Sequence, residues 1–276
     1  MQEHPSSGAD AVPPDDLAAF VTRTTGRSVA ALEPLAGGEA NATYRATTGA
    51  GDVLIVRVQQ RGVTGFDEEA RAMEQGREAG VPVPEVYGVG QVGIGARHDA
   101  MVMAAARGRP LAEVMGSLSR AQLAKVFAGV GEALRRLHTV RVAHFGWLRK
   151  EGDEADSDWA TFATTLLAFR RKDVPELEWA GLTPAEVEGL LGVVASLQDL
   201  PYKQPVLCHG DLGADHLFVG DDLELTGVID FGMAQGVRPR WTWACCGCST
   251  RRSSWRGSPR GTGADRSRRR VSSGRC

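Results

Sequence analysis

The stretch Cys208–Gly232, CHGDLGADHLFVGDDLELTGVIDFG, decides how the rest of this chain is read. HLFV and ELTGVIDF have the composition of β-strands, and Gly220-Asp221-Asp222 between them is turn chemistry. The spacing therefore predicts a strand end at Cys208, a tight polar loop, then a hairpin. A hairpin brings the chain back to where it started. Asp230, at the end of the second arm, should return beside the loop that carries Asp211 and His216. Two carboxylates and an imidazole on one loop repel one another and resist desolvation unless a cation sits between them. A divalent metal carrying phosphate would resolve that conflict.

Working outward, DLAAFVTRTTG has Leu17, Phe20 and Val21 at helical spacing. Thr43–Thr47 suits a strand, GAGD (49–52) a turn, and VLIVRV a strongly β-prone strand. These form an antiparallel meander, with a Gly37-Gly38 turn between its first two strands. FDEEARAMEQGREAG reads as a helix stopped by Gly80, VPVPEVYGVG as extended chain, and MVMAAA (101–106) as a short apolar strand. From Ser119 the chain turns helical. Apolar residues at 123, 126, 127, 130, 134 and 137 mark one face of a long helix. ATFATTLLAFRRK and TPAEVEGLLGVVASLQDL give two more, the second with Thr183 as N-cap and Pro184 at the first helical position.

The pair of Asp211 and Asp230, with His216 between them in sequence, is what phosphoryl transfer requires. One carboxylate orients and deprotonates a hydroxyl, and another holds magnesium on nucleotide phosphates. HGDLGADH and VIDFG resemble the catalytic and metal-binding loops of the aminoglycoside phosphotransferases, a branch of the protein-kinase-like fold. The resemblance covers roughly residues 30–236. It implies an α+β, two-lobed kinase-like fold with a small antiparallel β-rich N-lobe and a mainly helical C-lobe. Asp211 would be the catalytic base, and His216 and Asp230 the metal-side residues. His in place of Asn at 216 is similar to the 2''-aminoglycoside and macrolide kinase branch. LAGGEANATYRA, with Gly37 and Gly38, resembles the family's nucleotide-covering turn. Arg57 stands where a phosphate-contacting Lys is usual, and a guanidinium is not equivalent to an ammonium. Glu69, with Glu68 as the alternative, matches its helix partner. Met103, Ala104 and Ala106 match the hinge whose backbone would bind the base. The implied cofactors are Mg²⁺ and ATP or GTP as phosphoryl donor. The implied substrate is a small cationic antibiotic, most simply an aminoglycoside. A macrolide or a choline- or homoserine-like metabolite would share every motif.

The expected organisation is a leader over 1–14, a nucleotide-binding lobe over 15–106, a helical catalytic lobe over 107–236 and an aberrant tail over 237–276. The net charge of −2 conceals a split. Eleven Arg and only Asp265 fall after Gly232, so the body is strongly acidic; Asp153, Glu154, Asp156, Asp158, Glu176 and Glu178 would suit a polycationic acceptor. The leader has no basic or apolar signal region and no apolar run is long enough to span a bilayer, which predicts a cytoplasmic protein without a membrane partner.

The tail has three readings: a basic arm for nucleic acid, a cysteine metal site at Cys245, Cys246 and Cys248 without a second ligand pair, or a shifted reading frame. The third is favoured, and it argues against nucleic acid. Trp241-Thr242-Trp243 encoded TGG ACC TGG reads one base earlier as Leu-Asp-Leu. An Arg/Ser/Gly-rich tail should be disordered, which leaves open an inactive, non-catalytic product.

Overall fold

The computed structural model describes residues 12–35, 41–60, 66–93, 97–148 and 158–238. Gly37, Gly38, the acids at 153, 154 and 156, and the tail from residue 239 lie outside the described residues. The N-terminal part comprises helix α1 (Pro14–Thr25), strands β1 (Val29–Leu35), β2 (Asn41–Thr48) and β3 (Val53–Gln59), helix α2 (Phe66–Glu78), then β4 (Val86–Val92) and β5 (His98–Ala104). The five strands form one antiparallel sheet in the order β1-β2-β3-β5-β4.

The two-residue period of β3 assigns each face. Leu54, Val56 and Val58 pack with Ala100 and Val102 against Leu17, Phe20 and Val21 of α1. Each such buried Leu, Val or Phe contributes about 1.5–3 kcal/mol. Ile55 and Arg57 take the opposite face, opposite Met103 and Met101 of β5, where α2 and the C-terminal lobe close over the sheet. A one-residue slip of β3 would turn Arg57 towards α1, so the alternation that buries Val56 also aims Arg57. α1 begins at Pro14 and Val12 is already buried on this core. The described residues thus begin inside the expected leader, where Val12 covers apolar surface of this core.

The second lobe contains β6 (Arg109–Pro110), α3 (Leu111–Val114), α4 (Arg120–Leu137), β7 (Gly146–Trp147), α5 (Trp159–Arg170), α6 (Val174–Trp179), α7 (Pro184–Ala195), β8 (Val206–Cys208), β9 (Leu217–Val219), β10 (Leu225–Val228) and β11 (Gln235–Val237). α4 opens with a capping box, Ser119 with Gln122, and α7 with Thr183 and Glu186. The buried stripe of α4 is Val126, Val130, Ala133, Leu134 and Leu137. Phe127, expected on it, is 46% exposed, because the lobe meets the helix about a third of a turn away from that residue. β9 and β10 form the expected hairpin, widened by an irregularity between Leu225 and Gly227. β11 pairs with β8 and β7. Val237 therefore belongs to the fold, and the tail starts later than expected. No helix among the described residues is long and apolar enough to cross a membrane.

Candidate active site

The hairpin closes on its own loop. The Ile229 N–H donates to the His216 carbonyl at 3.0 Å, one rung beyond β9 and β10, so Asp230 emerges beside His216. Asp230 takes a left-handed conformation, φ 65° and ψ 63°, uncommon for a residue with a Cβ and concentrated at functional turns. That twist presents its carboxylate on two sides. Oδ2 lies 3.4 Å from His216 Nε2 and Oδ1 lies 3.1 Å from Arg57 Nη2.

Three hydrogen bonds fix the two imidazoles. His209 is fully buried, with Nε2 2.8 Å from the Ile229 carbonyl and Nδ1 facing the Asp211 N–H at 3.4 Å. These partners assign the proton to Nε2. Burial pushes the His209 pKa down to about 4, so the ring is neutral. It also packs on Phe231, ring centroids 4.6 Å apart. His216 donates from Nδ1 to the Asp211 carbonyl at 2.6 Å, and its Nε2 faces Asp230 Oδ2. Gly210 permits the loop its tightness. Its φ is +86°, and a Cβ there would overlap the Met233 carbonyl.

Arg57 joins the lobes. Its guanidinium pairs with Glu69 of α2 as well as with Asp230 of the hairpin. Burial, the largest influence on Arg57, acts to lower its pKa, but the two carboxylates overcome it and the guanidinium is raised. Glu69 moves up, because its burial outweighs the single cation beside it. The guanidinium keeps its proton and Glu69 is its closest counter-ion, so the two meet as an ion pair. The Asp230 carboxyl is depressed: burial acts to raise it, and the Arg57 guanidinium, which also donates a hydrogen bond to it, leads the influences that outweigh burial. Its side chain remains 40% exposed, so it is both charged and reachable.

Residues 31–235 match the model of the phosphotransferase enzyme family. The chain belongs to the phosphotransferase enzyme family. No protein with a curated description matches the sequence. Solved structures share the family's fold. The chain is similar to a thermostable mutant of aminoglycoside phosphotransferase APH(4)-Ia in ternary complex with ADP and hygromycin B (21% identity, 83% of this chain and 75% of that one, TM-score 0.63). It is similar to a protein described as a fructosamine-3-kinase from Thermobifida fusca (24%, 84% and 78%, 0.59). It is also similar to aminoglycoside phosphotransferase APH(3'')-Id from Streptomyces rimosus (22%, 87% and 85%, 0.52). The two-lobed, kinase-like α+β architecture is thereby established.

Within this family's fold, the residues singled out in the sequence fall unevenly. Asp211, His216, Asp230, Arg57 and Glu69 belong to one connected group, and Glu69 rather than Glu68 carries the ion pair. Both glutamates are buried. Met103 and Ala104 end β5. The Met103 side chain is core, and the Ala104 N–H is engaged by the Glu85 carbonyl at 2.8 Å, so that donor is not free for a base. Ala106 lies in the following loop. The acceptor-side acids divide similarly: Asp158 caps α5, while Glu176 and Glu178 are exposed on α6.

The donor set suits a magnesium ion bound together with phosphate. Asp230 offers a charged oxygen, the kind of donor Mg²⁺ prefers, and His216 Nε2 lies 3.4 Å from it. Among the described residues no three His, Cys, Asp or Glu side chains gather as a metal cage. Mg²⁺ commonly uses one or two carboxylates and fills its octahedron with water and substrate phosphates, so a single carboxylate is compatible with it. Sequence reasoning missed the direct bond from Arg57 to Asp230 and the contact of Phe231 with both His209 and the Glu69 carboxylate. These join residues up to 173 positions apart, for which the chain carries no local signal.

Proposed function

We propose that this phosphotransferase moves the terminal phosphoryl group of ATP or GTP to a hydroxyl of a small cationic antibiotic, an aminoglycoside being the first candidate. The observation that carries the reading is the junction at Asp230. One carboxylate stands between the imidazole of the Asp211 loop and the cation of the N-terminal lobe.

Asp211 would orient the acceptor hydroxyl and take its proton. Its backbone N–H meets His209 Nδ1 and its carbonyl accepts from His216, contacts that would hold the loop carrying this base. Arg57, held by Glu69, would neutralise phosphate charge. Asp230 and His216 would hold Mg²⁺, which would supply charge neutralisation to the phosphates. The Gly37-Gly38 turn would cover the nucleotide, and the hinge segment containing Met103, Ala104 and Ala106 would contact its base. Glu176 and Glu178 place negative charge on the helical lobe, which favours a polycationic acceptor.

The similarity in fold to a protein described as a fructosamine-3-kinase supports one competing reading, a metabolite kinase. The deciding assay follows phosphate transfer from γ-labelled ATP and GTP to aminoglycosides, macrolides, fructosamines, choline and homoserine. Mg²⁺-dependent labelling of an aminoglycoside supports the proposal. Labelling of a metabolite alone moves the assignment within the family. Nucleotide binding without transfer to any acceptor identifies a non-catalytic product.

A further inference from the structure

Arg57 carries its charge in apolar surroundings. Met101 lies directly across the sheet on β5 and is fully buried. The Arg57 Cζ stands 5.4 Å from the centre of the buried Phe66 ring at the start of α2. A cation so placed needs counter-ions, and two converge on it. Nη1 pairs with Glu69 Oε1, and Nη2 lies 3.1 Å from Asp230 Oδ1. Gly232 shows how closely the two carboxylates approach one point. A Cβ on that residue would stand 3.4 Å from Glu69 Oε2 and 3.5 Å from Asp230 Oδ1. Glu69 is tied to the same loop by a hydrogen bond with the Phe231 backbone.

The planar fork of an arginine gives each carboxylate its own nitrogen, which the single nitrogen of a lysine does not. The carboxylate assigned above to Mg²⁺ is therefore also neutralised by a cation of this chain. Glu69, Arg57 and Asp230 together carry one net negative charge, and the charge nearest Asp230 Oδ1 is positive. Like charges a few ångströms apart in a poorly solvated site repel strongly. A nucleotide changes this balance in two ways. Its phosphates add negative charge beside Asp230, and they offer the guanidinium a bidentate partner in place of the Asp230 oxygen.

We propose that Arg57 makes metal binding at Asp230 conditional on nucleotide. In the free protein the guanidinium holds Asp230 Oδ1 and opposes a divalent ion there. With phosphate present it turns to the nucleotide and releases the carboxylate to the metal. By linkage the coupling is reciprocal, so metal strengthens nucleotide binding by the same factor. The inference rests on the reading of Asp230 as the metal-side carboxylate of a nucleotide site. An arginine that merely braced the loop would give the opposite response to its removal, a looser Asp230 and weaker metal binding.

The test titrates the full chain with Mn²⁺, which suits the same oxygen donors as Mg²⁺, and follows free Mn²⁺ by electron paramagnetic resonance with and without ADP. Without ADP, Arg57→Gln should bind Mn²⁺ ~10-fold more tightly than wild type. Glu69→Gln, which leaves the guanidinium to Asp230 alone, should bind it more weakly than wild type. ADP should strengthen Mn²⁺ binding by a larger factor in wild type than in Arg57→Gln. Should Arg57→Gln not fold, Arg57→Met/Glu69→Leu takes its place, and its Mn²⁺ affinity without ADP should also exceed that of wild type. An unchanged or lower affinity in the chain that lacks the guanidinium overturns the proposal, and so does an undiminished coupling to ADP. Asp230→Asn separates this inference from the reading beneath it. If Asp230→Asn weakens Mn²⁺ binding in the presence of ADP while loss of Arg57 brings no gain, the inference alone falls. If Asp230→Asn leaves that binding unchanged, the metal is not at Asp230 and both fall.

Discussion

Acidification from pH 7.5 to pH 4 should destabilise this protein through His209 in particular. The ring is fully buried and neutral, with a pKa pushed down to about 4 by burial, against 6.5 for the ordinary side chain. Between those values the unfolded chain binds a proton that the folded chain refuses. His209 therefore contributes its full share of stability above pH 6.5, and that share is lost as pH falls towards 4. A depression of about 2.5 units corresponds to about 3 kcal/mol, enough to lower Tm by roughly 6–12 °C in a domain of this size. The assay is urea or thermal unfolding across pH 4–7.5, with His209→Gln as comparison. Glutamine keeps a donor for the Ile229 carbonyl but does not titrate. Carboxylates elsewhere, Asp230 included, titrate in both proteins and cancel in the difference. The variant should be less stable at pH 7.5, and the two curves should converge as pH falls. Parallel curves with the same slope in both proteins would refute the reasoning, because some other group would then carry the pH dependence.

Asp211→Asn should lower turnover by ~10²–10⁴ while nucleotide affinity, followed by calorimetry, stays unchanged. Arg57→Met leaves Glu69 buried without its cation and should cost about 3–5 kcal/mol in denaturant unfolding. The double change Arg57→Met/Glu69→Leu should recover most of that stability but no activity. Gly210→Ala adds a Cβ where φ is +86° and the Met233 carbonyl already lies. A loss of about 2–3 kcal/mol, together with lost turnover, is expected.

How much of this could be read from the chain depends on the range of each interaction. The hairpin was legible because its turn and both arms lie in one short segment, so local chemistry closes it. Arg57 was legible as a residue but not in its environment. Strand alternation puts it opposite the Val56 face, and only the packed lobes reveal that Asp230 approaches that face. The stripe of α4 was misjudged at Phe127, since an apolar residue next to Val126 looks equivalent until the partner surface is known. The tail boundary was set too early because Val237 gains its burial from β8 and β7, remote in sequence.

The central claim is that Asp230 is where metal, nucleotide phosphate and the Asp211 loop meet. Titration calorimetry of ATP or GTP with and without Mg²⁺, on the wild-type chain and on Asp230→Asn, tests it most directly. The account predicts nucleotide binding that Mg²⁺ strengthens in the wild type and an amide variant in which that strengthening disappears. An undiminished Mg²⁺ effect in Asp230→Asn would contradict it.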